Sequence, residues 1–238
     1  MLTDKEVFAN SIITEYIHKS GVIAPIEFHF VDNINDSWIL YTHNNKVIRE
    51  YLLQDFSQQN GLMLPFEGDI YQVLIRKDYI DYKCTIIHES THIIDYDRFR
   101  ILYNGGDIDI EFHKFYESMC LYSEFHARKM AHAYYVQNLS DADVPQIMLQ
   151  ELLNIVPIIK DLENNIKANK FTNIIQDQHL YDLMQYLGRI YTTKLDIEPL
   201  DDFSNNIKTL YANLVALDEN WDDSTFQSVE KSLRKLYE

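Results

Sequence analysis

The sequence predicts an α+β fold: a small twisted sheet beside two long helices, followed by an all-helical region. Three observations carry this. Strand-like runs are confined to the first third of the chain, around Ile26–Phe30 and Tyr71–Arg76. Two stretches without Gly or Pro, about 79–103 and 111–137, are long enough for helices of about seven turns. Beyond residue 139 the apolar residues fall near helical spacing. The expected division is 1–138 as a sheet-bearing domain and 139–238 as a helical C-terminal region.

In chain order, Thr3 and Glu6 have capping-box spacing ahead of Val7, Phe8, Ile12, Ile13, Tyr16 and Ile17. They predict an amphipathic helix closed near Gly21. Ile26, Phe28 and Phe30 alternate with Glu27 and His29, which predicts a strand. Trp38–Tyr41 reads as a second strand, with Asn44-Asn45 as a turn. Residues 47–59 fit either period. Gly61, Pro65 and Gly68 read as breaks. Tyr71–Arg76 (YQVLIR) is the clearest strand. A helix from about Tyr79 to Tyr103 follows, then a Gly105-Gly106 turn and a second long helix from about Glu111 to Gln137. Leu149, Leu152, Leu153 and Val156 precede Pro157, which is expected to kink or divide that segment. Helical spacing recurs over 171–193 (Ile174, Ile175, Leu180, Leu183, Met184, Leu187, Ile190), and Pro199 ends it. Leu210, Leu214 and Leu217 suggest a further helix, and Ser224 with Gln227 the cap of a last one.

The chemistry concentrates in His88-Glu89-Ser90-Thr91-His92, an H-E-x-x-H pattern on the first long helix. Residues i and i+4 share a helix face, so both imidazoles can reach one Zn²⁺. Glu89 lies one residue off that axis and is better placed to take a proton from a metal-activated water than to bind the ion. Nine His and fifteen Glu placed at random in 238 residues would give this pattern about 0.02 times. The metzincin route to a third ligand, a Gly turn and then a His soon after the motif, is absent here. The third ligand must come from another element, and the second long helix offers Glu117 and Glu124. These acids are seven residues apart and share a face, so spacing does not choose between them. Either would complete a His₂Glu set and leave a fourth position for water.

Other residues carry weaker signals. Asp95 lies on the His88/His92 stripe, where it could orient an imidazole or pair with Arg98. Cys84 and Cys120 precede His88 and Glu124 by one turn and read first as small buried hydrophobes. His113, Tyr122, His126 and His132 read first as core or solvated side chains.

Composition narrows the function classes. The net charge is −16, shared equally by the parts before and after residue 140, so neither part is a basic nucleic-acid module. No stretch reaches the roughly 20 apolar residues of a membrane span, and the first twenty residues show no signal-peptide pattern. Two cysteines give no disulfide framework and fit a reducing cytoplasm.

Over roughly residues 22–138 the arrangement resembles the ImmA/IrrE-type metallopeptidases, a gluzincin-like bacterial and phage family. There a strand precedes an H-E-x-x-H helix, and a later helix carries a Glu with Ala at +3 and +7. Glu124, followed by Ala127 and Ala131, fits; Glu117 has no such followers. Ser90-Thr91 stands where the family often has Leu-Gly. The resemblance implies a zincin-like fold, a zinc site of His88, His92 and Glu124, Glu89 as general base, and a protein or peptide substrate such as an intracellular repressor. In zincins the strand beside the motif helix commonly pairs with an extended substrate, so the Tyr71–Arg76 strand is either plain sheet or a peptide dock. A zincin-fold binding module without protease activity and a hydrolase of a non-peptide bond are the other classes. An intact Glu89 favours hydrolysis, because a scaffold needs only the ligands.

Overall fold

The computed structural model describes residues 2–43, 45–104, 113–168, 177–193 and 202–238. The chain is mixed α+β, largely helical with one small sheet, and divides into two compact units, Met1–Ile108 and Asp109–Glu238.

In the first unit, α1 (Asp4–Ile12) opens on the Thr3 capping box, in which Thr3 and Glu6 satisfy each other's backbone N–H groups. It runs on through a π-turn (Ile13–Ile17) and a 3₁₀ turn (His18–Ser20) to Gly21, whose φ of +103° suits a residue without Cβ. Strand β1 (Ile26–Val31) follows. The expected second strand at Trp38–Tyr41 is instead helical: α2 (Ile34–Ser37) leads into a 3₁₀ turn at Trp38–Leu40. The Asn33 side chain accepts the Asn35 N–H and starts this turn, and a four-residue apolar run has no period of its own to oppose it. α3 (Asn45–Tyr51) begins at the second residue of the expected Asn44-Asn45 turn; Asn44 lies outside the described residues.

β2 (Gly61–Met63) and β3 (Tyr71–Arg76) complete a sheet of order β1-β3-β2. β1 runs parallel to β3, with Ile26 opposite Tyr71 and Val31 opposite Arg76. β2 runs antiparallel to β3, with Gly61 opposite Ile75 and Met63 opposite Val73. One face of the sheet, with Tyr71, Val73 and Ile75, packs with Ile17, Val22, Ile86 and Ile93. The other, with Val31 and Leu74, packs with Ile34, Trp38, Phe56 and Leu64. This explains the unbroken apolar run of β3: it is central and covered on both faces. It also removes β3 as a peptide dock, because neighbouring strands already pair with both of its edges. The motif helix, α4 (Tyr82–Asn104), packs against β2, β3 and α1.

The second unit is helical: α5 (Tyr116–Gln137), α6 (Val144–Ala168), α7 (Gln178–Thr192), α8 (Asn205–Glu219) and α9 (Asp223–Lys235). Gly105-Gly106, Glu111, residues 171–176 (Ile174 and Ile175 among them) and Pro199 lie outside the described residues. α5 packs along α7, and Gly188 sets that approach: a Cβ there would stand 2.3 Å from the Phe125 carbonyl oxygen. Pro157 sits inside α6 and does not divide it. The carbonyl it leaves unpaired belongs to Leu153, on the exposed side of the helix, where water can serve it. α9 is capped two residues earlier than expected. Asp222 accepts the N–H groups of Ser224 and Thr225, and Thr225 answers to the Asp222 N–H.

Candidate metal centre

α4 presents the motif on two faces. His88 and His92, one turn apart, are half-buried, and their Nε2 atoms stand 3.1 Å apart with rings nearly perpendicular at 89°. Two nitrogens bound to a tetrahedral zinc at its usual bond length are about 3.3 Å apart. The 3.1 Å separation, at which one ring N–H can donate to the other ring, is close to that spacing, and the donor set suits the ion.

Glu89, one residue along the helix, lies against the sheet. It is only 7% exposed. Its Oε2 accepts the backbone N–H of Met63 at 2.9 Å. Above it lies Gly61: a Cβ on that residue would meet Glu89 Oε1 at 2.7 Å, Glu89 Cγ at 2.8 Å and Thr85 Cγ2 at 2.6 Å. The absent side chain is what lets the carboxylate lie against β2. Sequence reasoning took Gly61 as a break and missed this strand. The available signal was a glycine heading the short apolar run Leu62-Met63-Leu64, which marks close approach of another group to a strand.

The two middle residues of the motif are fully buried. Thr91 Oγ1 donates to the Ile87 carbonyl at 2.8 Å and meets Tyr16 Oη at 2.9 Å. Tyr16 lies in the π-turn, whose extra residue per turn re-aims the side chains around it. A polar pair thus takes up the position without leaving the Thr91 hydroxyl unsatisfied. Further along α4, Asp97 is buried and accepts from the Tyr71 hydroxyl at 3.0 Å and from Arg100 at 2.8 Å. Burial and the Asp97 charge push the Tyr71 phenol well above its ordinary range. Asp95 is 2% exposed, whereas Arg98 is exposed.

In the second unit Glu124 is half-buried on α5, and Glu117 is half-buried two turns earlier. Glu124 Oε2 accepts from Gln185 Nε2 at 3.0 Å, and Gln185 Oε1 accepts from Arg128 at 2.7 Å. Gln185 on α7 therefore fixes the carboxylate's orientation. It sits 61 residues away in sequence and gave no local signal. Of the histidines read as core or solvated side chains, His132 is buried and His113 and His126 are half-buried. His126 stacks on Tyr122 and lies 3.7 Å from Asp218. His132 bridges Thr192 Oγ1 and, at 2.7 Å, Glu151. His113 packs on Phe115, where burial and then Lys114 lower its basicity. Cys84 and Cys120 are half-buried and form no disulfide.

No protein-family model, curated protein or solved structure matches the chain. Among the described residues no helix is long and apolar enough to cross a membrane.

Proposed function

We propose that the chain is a zinc-dependent metallopeptidase that hydrolyses a peptide bond in an intracellular regulatory protein, with His88, His92 and Glu124 as the metal ligands and Glu89 as the general base. The observation that carries this is the paired Nε2 geometry of an H-E-x-x-H helix whose glutamate accepts the Met63 N–H. The ImmA/IrrE resemblance adds Glu124, which Ala127 and Ala131 follow, as the third ligand. The chemistry of the donors agrees, because two imidazoles and one carboxylate suit zinc and leave a coordination position open. The substrate class follows from the ImmA/IrrE resemblance alone.

A zinc ion held there would supply Lewis-acid chemistry, acidifying a water and polarising the scissile carbonyl. The chain's own residues do the rest. Gln185 keeps the Glu124 carboxylate oriented, so little rotamer freedom is lost when it binds. Glu89, held by the Met63 N–H, would accept a proton from the attacking water and pass it to the leaving amine. Burial of Glu89 excludes competing water from that transfer.

The test is Glu89→Gln assayed on a mixed peptide library with zinc content measured in parallel. One zinc per chain is expected in both proteins, with turnover only in the wild type. Equal turnover by the Gln variant overturns the mechanism. Zinc binding without turnover by the wild type on any peptide points to the binding-module class instead.

A further inference from the structure

We propose that β2 is the positioning element for Glu89: the missing Cβ of Gly61 makes the slot and the Met63 N–H holds the carboxylate in it. This rests on the peptidase reading above. The register of the sheet dictates the arrangement. In an antiparallel pair only alternate residues exchange hydrogen bonds with the partner strand. Asn60 and Leu64 face β3, since Asn60 O accepts from Arg76 and Leu64 N–H donates to Gln72. Gly61 and Met63 therefore turn their N–H groups outward, to the edge of the sheet. An outward N–H on an edge strand needs a partner, and Glu89 Oε2 supplies it at 2.9 Å.

The slot is as specific as the bond. Without Cβ, Gly61 leaves room for Glu89 Cγ and Oε1, whereas any other residue would place an atom within 2.8 Å of both. A glutamate on a helix has three rotatable side-chain bonds. Here two of its positions are fixed, Cγ by the glycine and Oε2 by the N–H. The carboxylate that carries the proton therefore has little freedom left. β2 is in turn set by β3, so the position of the base is referred to the rigid centre of the sheet and not to the helix alone. Gly61 and Met63 are positioning residues: they act through Glu89. The same contact also decides what an added strand could do at this edge, because the Met63 N–H is already taken.

Three variants of the full zinc-loaded chain test this, assayed on the fastest-cut member of a mixed decapeptide library. Gly61→Ala displaces the carboxylate. Met63→Pro removes the N–H at an outward edge position, where proline is tolerated. Each is expected to keep one zinc per chain and a KM within about twofold, while kcat falls by about a hundredfold, the effect of misplacing a catalytic group by about an ångström. In metal-free protein, hydrogen exchange at the Met63 amide is expected to accelerate at least about tenfold in Glu89→Ala. A kcat within twofold of wild type for Gly61→Ala or Met63→Pro overturns the proposal, as does unchanged Met63 exchange in Glu89→Ala. Failure of the peptidase reading looks different: no variant and no wild type cuts any peptide, and the exchange measurement still decides whether β2 holds Glu89.

Discussion

Gly188→Ala is the most direct probe of how the second unit is packed. The added Cβ would stand 2.3 Å from the Phe125 carbonyl oxygen, 3.0 Å from the Lys129 nitrogen and 3.2 Å from Arg128 Cβ. Ordinary contact begins near 3.4 Å, so the nearest atom must retreat by about 1.1 Å. Two of the three neighbours are backbone of α5 and cannot swing aside. α7 must therefore lift, and Leu180, Leu183, Met184 and Leu187, all fully buried, lift with it. Overpacking of this kind costs up to about 3 kcal/mol. Alanine returns up to about 1 kcal/mol as the better helix former. The net loss is about 2 kcal/mol, or a Tm lower by roughly 4–8 °C. Urea unfolding followed by far-ultraviolet circular dichroism measures it. A midpoint equal to or above wild type at an unchanged slope would refute the account of α5 against α7.

Other outcomes follow from the same contacts. Gln185→Ala frees the Glu124 carboxylate and is expected to weaken zinc binding by about tenfold in a chelator competition; equal affinity would remove Gln185 as its orienter. Tyr71→Phe takes a donor from buried Asp97 and is expected to cost about 1–3 kcal/mol in urea unfolding, whereas a neutral result would mean Arg100 alone satisfies it. Acid should weaken the second unit. Burial pushes Asp218 and Glu151 up, but Lys129 for the first, and His132 and Arg189 for the second, outweigh it and hold both carboxyls low. A lowered carboxyl stabilises fully above its unfolded value, near pH 4, and loses that contribution as pH falls through the folded value. The urea midpoint is therefore expected to drop between about pH 4 and 2 and to drop less in Asp218→Asn with Glu151→Gln; a flat profile would contradict it.

What the sequence made legible was local and strongly patterned. Thr3 and Glu6 announce α1 because a capping box is complete within four residues. YQVLIR announces β3, and the H-E-x-x-H spacing becomes an imidazole pair as soon as the segment is helical. What was hidden depends on distant partners. β2 is three residues long and exists through pairing with β3, so its glycine looked like a break until Glu89 was seen beneath it. Trp38–Tyr41 misled because four apolar residues fit either period, and the side chain that decides the matter is Asn33. The α9 cap shifted to Asp222 because its Oδ1 accepts the N–H groups of both Ser224 and Thr225, and Thr225 completes the box by accepting the Asp222 N–H. Gln185 acts on Glu124 across two helices, and no local pattern marks such a pair.

The central claim is that two histidines of α4 and a glutamate of α5 hold one ion. Anomalous diffraction at the zinc edge, on crystals of the zinc-loaded chain, reads the ligands directly. The account predicts a single zinc bound by the Nε2 atoms of His88 and His92 and by the Glu124 carboxylate, with Glu89 outside bonding distance. Zinc on Glu117 or a cysteine, or no zinc at the histidine pair, would contradict it.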